Sequence, residues 1–266
     1  VRIALVDSGI GMLSTAAALR RARPDADLVL SMDPDHMPWG ARSDDEVIGR
    51  ALAGARAAGD PRPDAIVVPC NTASVHSLAA LRAEFEPRTP VIGTVPPIKP
   101  ATASGDPIAV WATAATSRSR YQTGLIERFA PDIAVTQVAC VGLAEAVESA
   151  DARALDEAVS YAADLTPDDV TGVVLGCTHY DLVSERIDAA LGRRASLFTA
   201  AEAVCVQTLR RLGAAPDPDA PRTGTVRVLR SGRPDTLPDS ALGYPAGAFL
   251  ALPPDGRSVA AEVRRP

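Results

Sequence analysis

Two short stretches, VVPCNTAS at 67–74 and VLGCTHYD at 174–181, each carry an apolar, β-branched run into a cysteine followed by small polar residues. The chain has four cysteines, Cys70, Cys140, Cys177 and Cys205, and two of them share this setting. A free thiol has a pKa of ~8.5, which a helix N-terminus or a neighbouring cation lowers. Both Cys70 and Cys177 are expected just before a helix, where backbone N–H groups and the helix dipole favour a thiolate. A single cysteine at a strand end reads most simply as packing. Two in matched positions reverse that reading. Thiols on opposite faces of one substrate suit inversion at carbon: one thiolate removes a proton, and the opposite thiol returns one to the other face. No cofactor is needed in principle, but a carbon-bound proton is weakly acidic. The site must therefore supply preorganised donors and exclude water. The rival is a dithiol redox pair, which requires the sulfurs within bonding distance, whereas inversion needs a carbon between them.

The elements that would position these cysteines follow from the pattern of apolar runs. RIALV, DLVLS, AIVVP and PVIG read as strands of a first series, with helices expected over 13–21, 43–58 and 73–85. PIAVWA, IAVTQV, GVVLG and SLFT form a second series, with helices over 117–129, 143–164, 180–191 and 201–212. Alternation of this kind predicts α/β architecture with mostly parallel sheets flanked by helices. Asp7 ends the first strand of one series and Thr113 that of the other, at nearly the offset that separates the two cysteines. Two motif pairs at matching offsets predict a duplicated unit, hence two pseudo-symmetric lobes with a cleft between them. Proline-rich TVPPIKPAT marks a crossing, and GAAPDPDAPRTG at 213–224 marks a return before the late strand TVRVLR. The expected lobes are residues 1–95 with 213–266, and residues 96–212. Ligands of open α/β sheets sit at the carboxyl ends of strands. VDSGIG, VPCNTAS, WATAATS and LGCTHYD all lie at such ends and face one cleft on this reading.

Composition excludes several classes. With 266 residues, 47% apolar and 23% charged, the chain has the make-up of an ordinary globular protein with a sizeable core. No apolar run reaches the ~18–20 residues that span a bilayer, and Val1–Val6 reads as a strand rather than a signal segment. The expectation is a cytoplasmic protein without a membrane partner. A net charge of −6 and 4% aromatics, with no basic cluster, argue against a nucleic-acid partner. The one lysine, Lys99, is wedged between prolines, an unpromising Schiff-base site for pyridoxal phosphate. No CxxC pair occurs and His36, His76 and His179 are scattered, so no metal site is expected. Cys140 and Cys205 are assigned to packing, and His36 and His76 to structural or surface roles.

DSGIGML, CNTAS and GCTHY together resemble the glutamate racemase group of the aspartate/glutamate racemase superfamily. The resemblance runs along nearly the whole chain, through Asp7-Ser8, Pro38-Trp39-Gly40, ATAATSRSRY and Glu148 to the second cysteine segment. It implies a cofactor-independent amino-acid racemase acting on a small amino acid, glutamate first, with D-glutamate feeding peptidoglycan synthesis and a homodimer as the assembly. Cys70 and Cys177 match the two acid/base cysteines. Asp7, Ser8, Asn71, Thr72, Thr178 and His179 match positions that bind substrate or assist catalysis, and Thr116 matches a substrate-contacting threonine. Trp39 and Gly40 stand where the group usually has tyrosine and glycine. Asp33 and Glu148 match auxiliary carboxylates.

These residue types suit those roles. Asp7 could orient the substrate ammonium or accept a proton from Cys70; otherwise it is a turn or cap aspartate. Ser8, Asn71, Thr72, Thr116 and Thr178 could bind carboxylates through neutral hydroxyls and amides while also capping helices. His179 could assist Cys177, and Glu148 could equally be a helix-surface glutamate. Departures from the group's pattern are Met12 for glycine, Trp39 for tyrosine, Ala115 for glycine, and Val141 and Asp181 where proline is frequent. Trp39 bears most directly on substrate choice. A racemase for aspartate or another acidic amino acid, a non-catalytic binding protein on the same scaffold, and a decarboxylase or isomerase relying on one cysteine are the alternatives.

Overall fold

The computed structural model describes residues 1–255, which contain ten strands. They are β1 (Arg2–Asp7), β2 (Asp27–Met32), β3 (Ala65–Val68), β4 (Val91–Gly93), β5 (Ile108–Ala112), β6 (Val135–Ala139), β7 (Gly172–Leu175), β8 (Ser196–Phe198), β9 (Val226–Arg230) and β10 (Arg233–Asp235). The first sheet has the order β10-β9-β2-β1-β3-β4 and the second β6-β5-β7-β8. Every pairing is parallel except β9 with β10. The order second, first, third, fourth thus recurs in both lobes, making β5 the counterpart of β1 and β7 that of β3.

Strand chemistry explains how the lobes face each other. Ile3 and Leu5 of β1 join one buried cluster, while Ala4 and Val6 join another. That is the two-residue alternation of a strand covered on both faces. In β5, Ala109 and Trp111 join the first of these clusters, and Ile108 and Val110 join a third. The shared cluster also takes in Leu13, Leu143, Val147 and Tyr180, so one apolar core is continuous between the lobes. Asp7 continues the Ile3, Leu5 face and is carried toward this inter-lobe side. In each sheet the winding reverses between the first and third strands, and a crevice opens there beyond their carboxyl ends. Asp7 and Cys70 stand at one crevice, Thr113 and Cys177 at the other.

Several helices differ from expectation. The helix expected over 117–129 is a short turn, Ala114–Ser117, followed by a helix Arg120–Phe129 that Ser119 caps by accepting from the Gln122 N–H. The one expected over 180–191 begins as a tighter turn, Tyr180–Val183, before the helix Ser184–Ala190. The helix Ala201–Leu212, expected in the second lobe, lies against β3, β4 and the helix Leu13–Ala22 of the first. The chain therefore rejoins the first lobe before the linker at 213–224. The expected late strand TVRVLR is β9, which pairs beside β2, and β10 is an additional short strand antiparallel to it. Residues 256–266 of the expected first lobe lie outside the described residues. Among the described residues no helix is long and apolar enough to cross a membrane.

A buried cation ties down the returning segment. Arg20, 2% exposed, donates from Nη1 to the carbonyls of Pro24 (2.9 Å) and Gly224 (2.8 Å) and from Nη2 to that of Thr225 (2.9 Å). A side chain on Gly224 would collide with the Ala26 carbonyl, which is why the chain can press so close there. Arg20→Met keeps much of the volume but leaves the Gly224 carbonyl without its donor, while those of Pro24 and Thr225 keep the Gly224 and Leu28 N–H groups. It is expected to lower stability by about 1–3 kcal/mol, read as a fall in the urea midpoint at unchanged slope; an unchanged midpoint would show that the return is held otherwise.

Candidate active site

The two crevices face each other, and Cys70 and Cys177 line one small cavity of about 30 Å³. All four cysteines are free thiols, so no disulfide joins the facing pair. The first lobe contributes Ser8, Trp39 and Gly40, with Asn71 and Thr72 from the start of the Asn71–Phe85 helix. From the second lobe come Thr113, Thr116, Thr178 and His179. Gly40 faces the second lobe so closely that an added Cβ would lie 3.6 Å from the Thr113 hydroxyl.

Cys70 occupies the cap position of its helix, but the expected lowering of its pKa is overturned. Burial pushes the thiol well above its ordinary value, and the neighbouring Asp7 carboxylate pushes the same way, outweighing the contact with the Ala73 N–H. Cys177 is not at a helix start at all. Thr178 and His179 separate it from the tight turn Tyr180–Val183, so helix-dipole help is not available there as expected.

Each thiol has its own titratable neighbour. Asp7 is fully buried; its Oδ1 accepts from the Ser8 N–H at 2.6 Å and its Oδ2 from the Thr178 hydroxyl at 3.2 Å. Burial raises its pKa; His179 charge and the Ser8, Cys70 and Thr178 contacts only partly offset this. On the other side, His179 Nδ1 lies 3.8 Å from Cys177 Sγ and Nε2 lies 2.9 Å from Glu148 Oε2. Burial alone would push this imidazole down, but Cys177 and Glu148 outweigh it and hold it well above its usual value. Glu148 also accepts from the Ile10 N–H at 2.9 Å. Its carboxylate packs where a Cβ on Gly9 would stand, and Thr178 and His179 pack where one on Gly11 would stand. The glycines of DSGIG thus let the second lobe approach the first. Glu148 is consequently no free helix-surface residue.

Asn71 donates from Nδ2 to the Gly176 carbonyl across the lobes at 2.9 Å, while its buried Oδ1 has no partner among the described residues. A buried acceptor without a donor is costly, and this one is available to a ligand ammonium. Thr113 and Thr116 share a hydroxyl–hydroxyl bond of 3.0 Å at the opposite wall. Thr113 was not among the expected site residues, although its equivalence to Asp7 in the repeat pointed to it. Asp33 does not reach this cavity: it sits behind Trp39, accepting from the indole N–H at 3.1 Å. Among the described residues no group of three or more His, Cys, Asp or Glu side chains could hold a metal ion, and exposed Lys99 is not part of the lining.

The Asp/Glu/hydantoin racemase family profile matches residues 8–208. A glutamate racemase of Herpetosiphon aurantiacus is 35% identical over 239 residues, covering 87% of this chain and 93% of that protein. One from Deinococcus radiodurans is 36% identical over 272 residues, covering 96% and 91%. Among solved structures, Escherichia coli glutamate racemase in complex with L-glutamate and the activator UDP-MurNAc-Ala aligns with a TM-score of 0.75. That match has 28% identity and covers 87% of this chain and 90% of the other.

Asp181, half-buried beside His179, has an enclosed Oδ1 without a partner among the described residues, and burial pushes its pKa up to about 8. A carboxyl raised in the folded state stabilises the fold only while protonated, so stability should fall as pH climbs from ~4 through about 8. Asp181→Asn should remove that fall: relative to wild type the variant gains more stability at pH 8.5 than at pH 5 in urea titrations. A difference independent of pH would contradict it.

Proposed function

Since the chain belongs to the Asp/Glu/hydantoin racemase family and is accordingly an isomerase of the racemase class, we propose that it interconverts L- and D-glutamate by two-cysteine acid/base catalysis. The observation that carries this reading is the opening of both thiols onto one cavity, each backed by a different proton-exchanging group. Relatives named glutamate racemase over nine-tenths of their own length supply the substrate.

In this mechanism a substrate sits with its α-carbon between Cys70 and Cys177. One sulfur, as thiolate, takes the α-proton; the carbanionic intermediate then receives the proton of the opposite thiol on its other face. The reverse direction exchanges the roles. Asp7 accepts the Cys70 proton or returns it, and His179 does the same for Cys177, steadied by Glu148 on its far nitrogen. The raised pKa of Cys70 makes it a neutral thiol at rest, ready to donate. Asn71 Oδ1 takes the substrate ammonium. Hydroxyls of Ser8, Thr72, Thr116 and Thr178, with the Gly40 backbone, take the carboxylates, and Trp39 closes the site. No cofactor takes part. D-glutamate would be supplied to peptidoglycan synthesis in the cytoplasm, and a homodimer is the assembly that the family resemblance suggests.

Incubation with L-glutamate in deuterated water, without added cofactor, should replace the α-proton by deuterium in the NMR spectrum while circular dichroism decays to zero. Cys70→Ser and Cys177→Ser should each slow racemisation by at least about a thousandfold. Exchange with aspartate alone would transfer the mechanism to another acidic amino acid. A folded, reduced protein that exchanges no acidic amino acid would favour the binding-protein alternative.

A further inference from the structure

Trp39 is the single residue that lines both the catalytic cavity and a second cavity of about 260 Å³ behind it. The side chain is 1% exposed and belongs to the buried cluster that includes Val6, Val47, Cys70 and Ala73. One polar bond fixes its ring: the indole N–H donates to Asp33 Oδ2 at 3.1 Å. Asp33 is itself held from several sides. Its Oδ1 accepts from the Ser231 hydroxyl at 2.9 Å and contacts His36 Nδ1 at 2.9 Å. Its own N–H donates to the Ser8 carbonyl at 3.2 Å, directly behind the site. Ser231 adopts a left-handed conformation, φ 46°, in the turn between β9 and β10, so a strained residue of the returning segment serves this carboxylate. Arg50 lines the second cavity and forms no ion pair among the described residues; Arg233, also in the lining, is paired with Asp35.

A ring therefore stands between a catalytic cavity with no arginine or lysine in its described lining and a larger one that holds Arg50, unpaired among the described residues. We propose that Trp39 is the specificity-determining wall of the site, that Asp33 is the residue that positions it, and that together they limit the substrate to acidic amino acids no longer than glutamate. This rests on the racemase reading above. Removing the ring joins the two spaces and lets a longer side chain present its carboxylate to Arg50. Asp33 acts here through the indole rather than by proton transfer to substrate.

Binding separates this from the catalytic question. Calorimetric titration of wild-type protein with D-glutamate and with D-2-aminoadipate, one methylene longer, should give a Kd ratio of at least about tenfold favouring glutamate. Trp39→Ala should bring that ratio within about twofold, and Trp39→Phe, a smaller change that spares most of the ring volume, should keep most of the preference. The chain has two tryptophans, so the indole region of a ¹H–¹⁵N spectrum holds two signals. Asp33→Asn should shift the Trp39 signal, speed its exchange with solvent and weaken the preference for glutamate. A folded Trp39→Ala protein that keeps the tenfold preference would overturn the proposal. So would an Asp33→Asn variant whose Trp39 signal stays in place, or wild-type protein that binds neither ligand. Should the wild type show the Kd ratio but fail to exchange the α-proton, the wall would stand and the racemase mechanism would fall.

Discussion

A carboxylate can be buried between two lobes only if donors from both meet it, because an ion left without partners in a dry interface costs far more than its contacts return. The rest of this site depends on that requirement. Asp7 of the first lobe takes a hydroxyl from Thr178 of the second. Glu148 of the second takes the Ile10 N–H of the first and His179 of its own side. Asn71 reaches the Gly176 carbonyl in the same direction. Separating the lobes would break the Thr178–Asp7, Ile10–Glu148 and Asn71–Gly176 bonds together, so the bonds that satisfy the buried polar groups also hold Cys70 and Cys177 against one cavity.

The scaffold is symmetric and the chemistry laid on it is not. Both sheets repeat one strand order, and each places a cysteine after its third strand. Behind Cys70 lies a carboxyl whose pKa is raised by burial; behind Cys177 lies an imidazole raised by its partners against burial. On the proposed mechanism these are different proton stores, and the two directions of inversion would draw on them in opposite order. The repeated strand order supplies two facing positions, and divergence gives each cysteine a different titratable neighbour.

Strand alternation and the matched cysteine settings made the two-lobed fold legible in the sequence, because a two-residue burial period and a strand-end motif are local signals. The offset of Asp7 and Thr113 tracked the repeat for the same reason. What escaped depended on distant segments. Nothing near Asp33 marks it as the partner of an indole six residues on and of Ser231 from the returning chain. Amphipathic periodicity showed that residues 201–212 would be helical, but not which sheet they would cover. The protonation of Cys70 was misjudged because a helix N-terminus is visible in sequence, whereas burial beside a carboxylate is not. Tyr180–Val183 winds tightly before its helix, and that single turn removes Cys177 from the helix start.

The central geometric claim is that the two sulfurs flank one substrate carbon, and a crystal structure with D-glutamate bound tests it most directly. The expected result is an α-carbon between Cys70 Sγ and Cys177 Sγ, with the ammonium on Asn71 Oδ1 and both thiols unbonded to each other. A ligand whose α-carbon meets only one sulfur, or an unstrained Cys70–Cys177 disulfide across the cavity, would contradict it.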